Sequence, residues 1–431
     1  MSDLFTPLTL PCGITVPNRI AKAAMEENQA EAGQVPGMVL RNLYRAWAQG
    51  GAGLLITGNV MVDPRAMTGP GGVVLTRETL DDAEARQRFE AWAEAGTSGA
   101  GKLVMQISHP GRQVYATQGT ETVSASATKV NVPGFDKMFR PARAMTVDEI
   151  RGQIRRFADT AQAAEAVGFD GVQVHAAHGY LVAQFLSPLT NRREDAFGGS
   201  LENRARFLLE IIRAVRARVR PGTCVGVKLN SADFQRGGFA EADAARVVEW
   251  LNREGVDFVE LSGGSYESAA MMGQTEDGRM EPTSIPTSST EQREAYFLDF
   301  VPDIAASAAM PIMVTGGVTR RSTAERVVGT DNIDMVGIAR AIAFQPDLPA
   351  LWQRGERLEI AVARASWKNK GLAGLAGMAM TKRNLDRLGH NQPPKPNPGP
   401  ARSLVADQLG RLRQTRRYKA WLKEIHPEAL L

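Results

Sequence analysis

The sequence contains little cysteine, which limits the metal and disulfide sites that it can build. Only two of its 431 residues are cysteines, Cys12 and Cys224. Two thiols are too few to ligate an iron–sulfur cluster or to form a zinc knuckle within one chain. A disulfide framework is also not expected in a chain of this length. We therefore expect a protein of a reducing compartment, with no iron–sulfur cluster and no structural metal.

Long hydrophobic runs are also missing. No segment reaches the roughly 18 consecutive apolar residues that a membrane-spanning helix requires. The N-terminus lacks the basic run and apolar stretch of a signal peptide. Hydrophobic residues make up 43% and charged residues 23% of the chain, as in ordinary globular proteins with a sizeable core. These features predict a soluble, cytoplasmic protein with no membrane partner.

The first 350 residues carry no excess of positive charge. Residues 351–431 contain 16 Lys and Arg against 6 Asp and Glu, whereas residues 1–350 contain 35 against 41. A body of net charge −6 argues against a nucleic-acid partner. The basic cluster RLRQTRRYK at 411–419 can meet an acidic partner, but such a stretch is more often the solvated face of a helix.

Short apolar segments recur through the first 340 residues, and most of the intervals between them have helical periodicity. The segments have the length of buried strands and are bounded by Gly, Pro or polar residues. They are RIAKAAM (19–25), GLLITGNV (53–60), KLVMQIS (102–108), GVQVHAA (171–177), CVGVKLN (224–230), FVELSGG (258–264), PIMVTGG (311–317) and DMVGIAR (334–340). One helix is predicted to begin after Thr146, which forms a capping box with Glu149, and another after Ser200.

Eight strands alternating with helices predict an α/β fold, the eightfold parallel (β/α)8 TIM barrel, over residues 1–355. The alternative is an open doubly wound sheet, but its Gly-x-Gly-x-x-Gly turn is missing after the first strand. Residues 356–431 are predicted to form a basic, partly helical extension with a Pro-rich spacer at 391–400. Two long loops, 109–145 and 265–290, are expected at the C-terminal face of the barrel, where barrel enzymes have their active sites. We interpret 265–290 as a lid.

The most specific stretch of the sequence begins at the end of the fourth predicted strand. His175 and His178 are two of only five histidines in the chain, and Tyr180 follows them. Two imidazole N–H groups that converge on one point form a site for a carbonyl, nitro or phenolate oxygen. A neighbouring tyrosine can donate a proton. These three residues are the predicted catalytic and substrate-binding groups.

With these residues in place, the sequence resembles the Old Yellow Enzyme family of FMN-dependent ene reductases over roughly residues 3–350. The family motifs occur in order along the chain. They are NRIAKAAM, GGAGLLITGNV, MQISHPGR, HAAHGYL…FLSPLTNRREDAFGGSLENR, VGVKLNSADF, TGGV and VGIARA. The resemblance implies bound FMN, NADH or NADPH as co-substrate, and a small-molecule enone or related compound as substrate; it leaves the choice of nucleotide and the subunit number open, and a homo-oligomer is compatible with it.

The resemblance also implies the flavin-binding residues. Gln106 matches the glutamine that bonds the pyrimidine edge of the flavin, since an amide offers both a donor and an acceptor. Lys228 matches a cation near flavin N1 that favours reduction, although it can instead pair with a neighbouring acid. Gly316, Gly317, Ala339 and Arg340 match the phosphate site. The positions that line the rest of the flavin are Ala23, Ala24, Met25 and Gly58.

Three residues depart from the family pattern after the first strand. Ala24 replaces a proline, and Glu26 replaces the threonine or cysteine that bonds the flavin C4 region. Asn28 stands on the substrate side where one branch of the family has a tyrosine. We expect Glu26 to lower the reduction potential of the flavin unless it turns away to pair with Lys22 or Arg19. Two other functions remain open: an FMN-dependent dehydrogenase or demethylase on the same barrel, and a non-catalytic flavin-binding sensor or scaffold.

Overall fold

The computed structural model describes residues 3–131, 137–263, 301–356 and 358–430. Eight strands of its ten-stranded sheet form the barrel, and each lies inside or coincides with one of the apolar segments found in the sequence. The strands are β1 (Ile20–Lys22), β2 (Leu54–Ile56), β3 (Lys102–Ser108), β4 (Gly171–Ala176), β5 (Cys224–Asn230), β6 (Phe258–Ser262), β7 (Ile312–Thr315) and β8 (Met335–Ile338). The predicted lid at 265–290 lies outside the described residues.

The eight strands form a closed parallel barrel. Each strand pairs in parallel with the next one in the chain, and β8 pairs with β1 through Val336 opposite Ile20 and Gly337 opposite Ala21. Because the sheet closes on itself, the predicted TIM barrel is confirmed and the open doubly wound sheet is wrong. Nearly all strand residues are buried, since helices cover the outside and side chains fill the inside.

Twelve helices of at least five residues occur in the described part of the chain. They are α1 (Met38–Gln49), α2 (Ala83–Gly96), α3 (Val147–Ala166), α4 (Leu181–Leu186), α5 (Leu201–Arg216), α6 (Glu241–Leu251), α7 (Val301–Ala305), α8 (Arg321–Val328), α9 (Arg340–Phe344), α10 (Leu348–Gln353), α11 (Lys370–Gly389) and α12 (Pro400–Ile425). Within the described residues, none of these helices combines the length and hydropathy needed to cross a bilayer.

The helix starts predicted from capping residues are confirmed. At the start of α3, the Glu149 N–H donates to Thr146 Oγ1 at 3.2 Å, and the Thr146 N–H donates to Glu149 Oε2 at 2.8 Å. At the start of α5, the Asn203 N–H donates to Ser200 Oγ at 3.3 Å. Each side chain satisfies a backbone N–H that has no partner within the helix.

The C-terminal extension folds back onto the barrel. In α11, Gly389 accepts a hydrogen bond from Asn42 of α1 (3.0 Å). In α12, Tyr418 donates to the Pro64 carbonyl (2.8 Å), and Gln414 Nε2 donates to the Asn28 carbonyl (2.7 Å). Asn28 and Pro64 follow β1 and β2, so α12 lies against the C-terminal face of the barrel, and the Pro-rich spacer joins α11 to α12. The division into domains at residue 355 stays a prediction.

Candidate active site

Three side chains predicted to act together meet at the C-terminal end of β4. The ring centroids of His175 and His178 are 5.1 Å apart, and those of His175 and Tyr180 are 4.8 Å apart. Both pairs are in edge-to-face contact. Tyr180 and His175 are only 5% and 3% exposed, so the cluster is largely shielded from water. The structure thus brings the predicted catalytic residues into one cluster.

The backbone at His178 has an unusual conformation. His178 has φ +57° and is followed by Gly179 with φ +72°, so two successive residues are in the left-handed region. A histidine there costs stability relative to glycine. Three hydrogen bonds hold it: the His178 N–H to Asn230 Oδ1 (3.0 Å), Gln113 Nε2 to the His178 carbonyl (2.9 Å), and His178 Nε2 with Ser262 Oγ (2.9 Å). Strain of this kind, fixed by surrounding contacts, is typical of functional sites.

Both imidazoles are neutral at pH 7. Burial, followed by electrostatic coupling to His178 and by the positive charge of Lys228, lowers the pKa of His175 well below its usual range. Burial and the charge of Lys228 lower the pKa of His178 to about 3. His175 Nδ1 accepts a hydrogen bond from the Ala177 N–H (3.2 Å), so Nε2 carries the ring proton of His175. A neutral ring with a fixed tautomer is a directed hydrogen-bond donor.

A chain of buried polar side chains crosses the inside of the barrel next to this cluster. Gln106 Nε2 donates to Gln173 Oε1 (2.7 Å), and Gln173 Nε2 donates to Glu260 Oε2 (2.8 Å). Lys228 Nζ donates to Glu260 Oε1 at 2.6 Å. The strand register explains the order, because Gln106 stands opposite Gln173 and Lys228 stands opposite both His175 and Glu260.

Lys228 therefore pairs with an acidic residue, Glu260, which the sequence allowed as an alternative to a role beside the flavin. Lys228 is 3% exposed and Glu260 is fully buried, so the two charges neutralise each other inside the barrel. The pair does not remove the lysine from the site, since its charge still acts on both histidines. Pairing and a role beside a cofactor are compatible, because an ammonium group has three N–H donors.

A second buried ion pair lies where β1 ends. Lys22 is fully buried, with Nζ 3.5 Å from Glu27 Oε1 and 2.7 Å from the Ile56 carbonyl. Burial, opposed by Glu27, lowers the pKa of Lys22 to about 8. A Cβ on Gly58 would lie 2.2 Å from the Met25 carbonyl oxygen and 2.1 Å from Glu27 Oε2, so only glycine fits at this position. Glu27 and Lys22 thus form the wall behind Gly58.

The two unusual residues that follow β1 both have polar atoms without partners. Glu26 Oε1 and Asn28 Oδ1 are buried and make no hydrogen bond with the described residues. Lys22 pairs with Glu27, and Arg19 pairs with Asp334 (3.7 Å). The expected alternative for Glu26, an ion pair with one of these cations, is therefore wrong for the described structure.

The predicted phosphate-binding residues follow β7 and β8. Gly317 has φ +61°, a left-handed conformation that favours glycine, and Arg340 begins α9. Partial desolvation and the positive charge of Arg364 lower the pKa of Arg340. Among the ion pairs of the described residues, none includes Arg340 or Arg364. Two guanidinium groups close enough to repel each other, without a carboxylate, are suited to a dianionic phosphate. The Ala23 N–H donates to the Ile338 carbonyl (3.0 Å), which places the β1 end beside this site.

The sequence that forms this barrel matches a protein family model. The family model described as "NADH:flavin oxidoreductase / NADH oxidase family" matches residues 3–359. The chain belongs to this family. The match includes every predicted site residue and ends before α11 and α12, so the extension lies outside the part that the family shares.

Relatives within the flavin oxidoreductase family agree with this assignment. The NADH-dependent flavin oxidoreductase iliE of Hypocrea jecorina is 39% identical over 358 residues, which cover 80% of this chain and 87% of the relative. A morphinone reductase solved with tetrahydroNAD has 26% identity and a TM-score of 0.66, and the match covers 84% of this chain and 93% of that one. A 2-naphthoyl-CoA reductase solved with 2-naphthoyl-CoA has 25% identity and a TM-score of 0.73; the match covers 82% of this chain but only 52% of that longer one.

The structure also contains site residues that sequence reasoning missed. Glu260 and Gln173 are polar residues inside apolar strands, the same signal that singled out Lys228, and they were overlooked. Ser262 and Asn230 end β6 and β5, and they orient His178. Arg364 had no signal in the sequence, because it lies far from the barrel motifs and only the fold brings it toward Arg340.

Proposed function

We propose that the protein is an FMN-dependent ene reductase that uses NADH or NADPH to reduce the activated C=C bond of α,β-unsaturated carbonyl or nitro compounds. The observation that carries this proposal is the cluster of two neutral imidazoles with Tyr180 in edge contact with His175. Two N–H donors can both bond a substrate oxygen, which accepts hydrogen bonds. The amine cation of a demethylase substrate is itself a donor and cannot accept them. Family membership supports the flavin and the nicotinamide nucleotide.

The buried residues of the barrel fit FMN. Gln106 and Lys228 each keep N–H donors beyond those used within the polar chain, so both can bond the polar edge of an isoalloxazine ring. Gly316, Gly317, Ala339 and Arg340 would hold the phosphate, with Arg364 adding charge. Ala23, Ala24, Met25, Glu26 and Gly58 would line the ring. FMN bound there supplies a hydride acceptor for NAD(P)H and a hydride donor for the alkene.

The residues of this chain would perform the remaining steps. His175 and His178 would hold the substrate oxygen and polarise the alkene, because hydrogen bonds strengthen as negative charge develops on that oxygen. Tyr180 would donate the proton to the α-carbon. Asn28 would contact the substrate side. Thioesters of α,β-unsaturated acids belong to the same electronic class as enones, and the relative solved with 2-naphthoyl-CoA supports including them among the substrates to be tested.

The visible spectrum of the purified protein tests this proposal. We expect an oxidised flavin spectrum that bleaches with anaerobic NADPH and returns when cyclohexenone is added. Bleaching without reoxidation by the enone would favour the dehydrogenase, whereas binding of FMN without turnover would favour the sensor. A colourless protein that cannot be reconstituted with FMN would defeat all three functions.

Replacing Tyr180 with Phe should separate the two half-reactions. Reduction by NADPH needs no proton from Tyr180, so its rate should stay within a few-fold of the wild-type rate. Reduction of cyclohexenone should slow by about 10²–10⁴-fold, which is the usual contribution of a positioned acid. Stopped-flow measurement of both steps checks this, with a quinone acceptor as internal control. Equal slowing of both steps would mean that the ring has only a structural role.

Replacing Glu26 with Thr should raise the two-electron reduction potential of the bound flavin. An ionised carboxylate can only accept a hydrogen bond, and its charge opposes negative charge on reduced flavin. Burial and the negative charge of Glu26 raise the pKa of Tyr115 to about 12, so this charge acts on its surroundings. A shift of ~30 mV corresponds to roughly 1.4 kcal/mol. Equilibrium dye titration measures it, with the exposed Glu90→Thr as control. An unchanged or lower potential in the Glu26 variant would contradict this hypothesis alone.

A further inference from the structure

A cavity of about 840 Å³ lies between α12 and the segment that follows β3. It is separate from the His175 cluster and from the phosphate residues after β7 and β8. Four of its lining residues are Lys or Arg, and none of the described residues that line it is a carboxylate. The lining residues are Tyr115, Thr117, Lys137, Met138, Gln408, Arg411, Leu412, Thr415, Arg416 and Lys419.

One face of α12 forms the wall of this cavity. Its lining residues recur at positions 408, 411, 412, 415, 416 and 419, the spacing of one helix face. A neighbouring face, with Tyr418 and Leu422, is fully buried against the barrel. The basic cluster at 411–419 thus contributes residues to both a packed face and a cavity wall. It is more than the solvated surface of a helix.

The positive charge of the cavity is only partly neutralised. Arg411 lies 3.2 Å from Asp407, and its guanidinium also lies over the Tyr115 ring at 5.5 Å. Tyr115 in turn stacks on Phe139, with centroids 5.4 Å apart. Among the ion pairs of the described residues, none includes Lys137, Arg416 or Lys419. A cavity with one oriented guanidinium and three further cations is built for an anion.

The spacing of the cations indicates more than one anionic group. Arg411 and Lys419 are eight residues apart on α12, which corresponds to about 12 Å along the helix axis. Cations spread over this length of helix suit a ligand with phosphates at separated positions, such as a diphosphate and a ribose phosphate.

The cavity adjoins the candidate active site. Tyr115 lines the cavity and is close enough to Glu26 for the charge of Glu26 to raise its pKa. On the other side, Gln414 of α12 donates to the Asn28 carbonyl. Glu26 and Asn28 follow β1 directly. A long ligand can therefore place its phosphates in the cavity and its reactive end toward the barrel.

We propose that this cavity binds the phosphorylated adenosine diphosphate of a ligand that reacts at the barrel mouth. Two sources share this chemistry: NADPH, with a 2′-phosphate, and a coenzyme A thioester, with a 3′-phosphate. NADH lacks the ribose phosphate. This inference rests on the proposed function, and it assigns to the C-terminal extension the recognition of one of these two ligands.

The test compares the holoenzyme with the double variant Arg416→Gln/Lys419→Gln. Each lost cation removes a charge-assisted contact to phosphate, so we expect a loss of at least about tenfold in affinity. If NADPH is the ligand, its KM rises by a larger factor than that of NADH, because NADH has the diphosphate but lacks the ribose phosphate. If a thioester is the ligand, the KM of crotonyl-CoA and the Kd of coenzyme A rise while the KM of cyclohexenone is unchanged. In both cases kcat with NADH and cyclohexenone should stay the same.

The matched control is Arg413→Gln. Arg413 is exposed on the same helix but does not line the cavity, so this variant removes one positive charge from α12 outside the cavity. The inference is overturned if the double variant binds NADPH and coenzyme A as tightly as the wild type, or if Arg413→Gln has the same effect. Titration with coenzyme A and NADPH needs no turnover. Failure to reduce cyclohexenone would therefore defeat the proposed function without deciding the cavity.

Discussion

Replacing either His175 or His178 with Ala should slow enone reduction on the order of 10²-fold. Each ring is neutral and held in place, so each variant loses a preorganised donor to the substrate oxygen. Reduction of the flavin by NADPH should change much less, because it places no oxygen between the two rings. Steady-state rates with cyclohexenone and stopped-flow rates with NADPH together measure the difference.

Binding of phenolic ligands gives a second measurement of the same two variants. Phenolates stacked on oxidised flavin usually produce a long-wavelength absorption band, and this band should weaken in both variants. His390→Ala is a suitable control, because His390 is 53% exposed in the extension. If both active-site variants kept wild-type rates and wild-type ligand spectra, the assignment of the two histidines would be wrong.

Replacing Glu260 with Ala should lower the free energy of unfolding by about 3–5 kcal/mol. Glu260 is fully buried and accepts hydrogen bonds from Lys228 (2.6 Å) and Gln173 (2.8 Å). Without it, Lys228 keeps a buried charge that has lost its partner. Urea denaturation at a fixed flavin concentration measures the loss through the transition midpoint.

The double variant Lys228→Met/Glu260→Leu separates stability from cofactor binding. Replacing both charges with apolar side chains of similar volume leaves no unpaired charge, so most of the stability should return. If Lys228 also contacts the flavin, both the affinity for FMN and the reduction potential of the flavin should be lower in this variant than in the wild type. An affinity for FMN and a reduction potential equal to those of the wild type would show that Lys228 serves only as the partner of Glu260.

The sequence by itself determined the barrel. Eight apolar segments with helical intervals predicted eight parallel strands, and all eight occur within the predicted ranges. This succeeded because strands buried on both faces must be apolar along their whole length, which is a local and readable signal. The start of α3 was predictable for the same reason, since Thr146 and Glu149 cap the helix through contacts three residues apart. His175, His178 and Tyr180 were found because they lie close together in the sequence at the end of a single strand.

Only the tertiary structure decided which charges are paired. Lys228 and Glu260 are 32 residues apart in the chain and meet because β5 and β6 are neighbours in register. The partner of Lys22 was equally beyond the sequence, which allowed Glu26 as well as Glu27. The place of α12 was not predictable either, because its basic cluster suits solvent and a cavity wall equally well. A charge shows its role only when the fold has brought its surroundings together, since electrostatic interactions depend on distance in space and on burial.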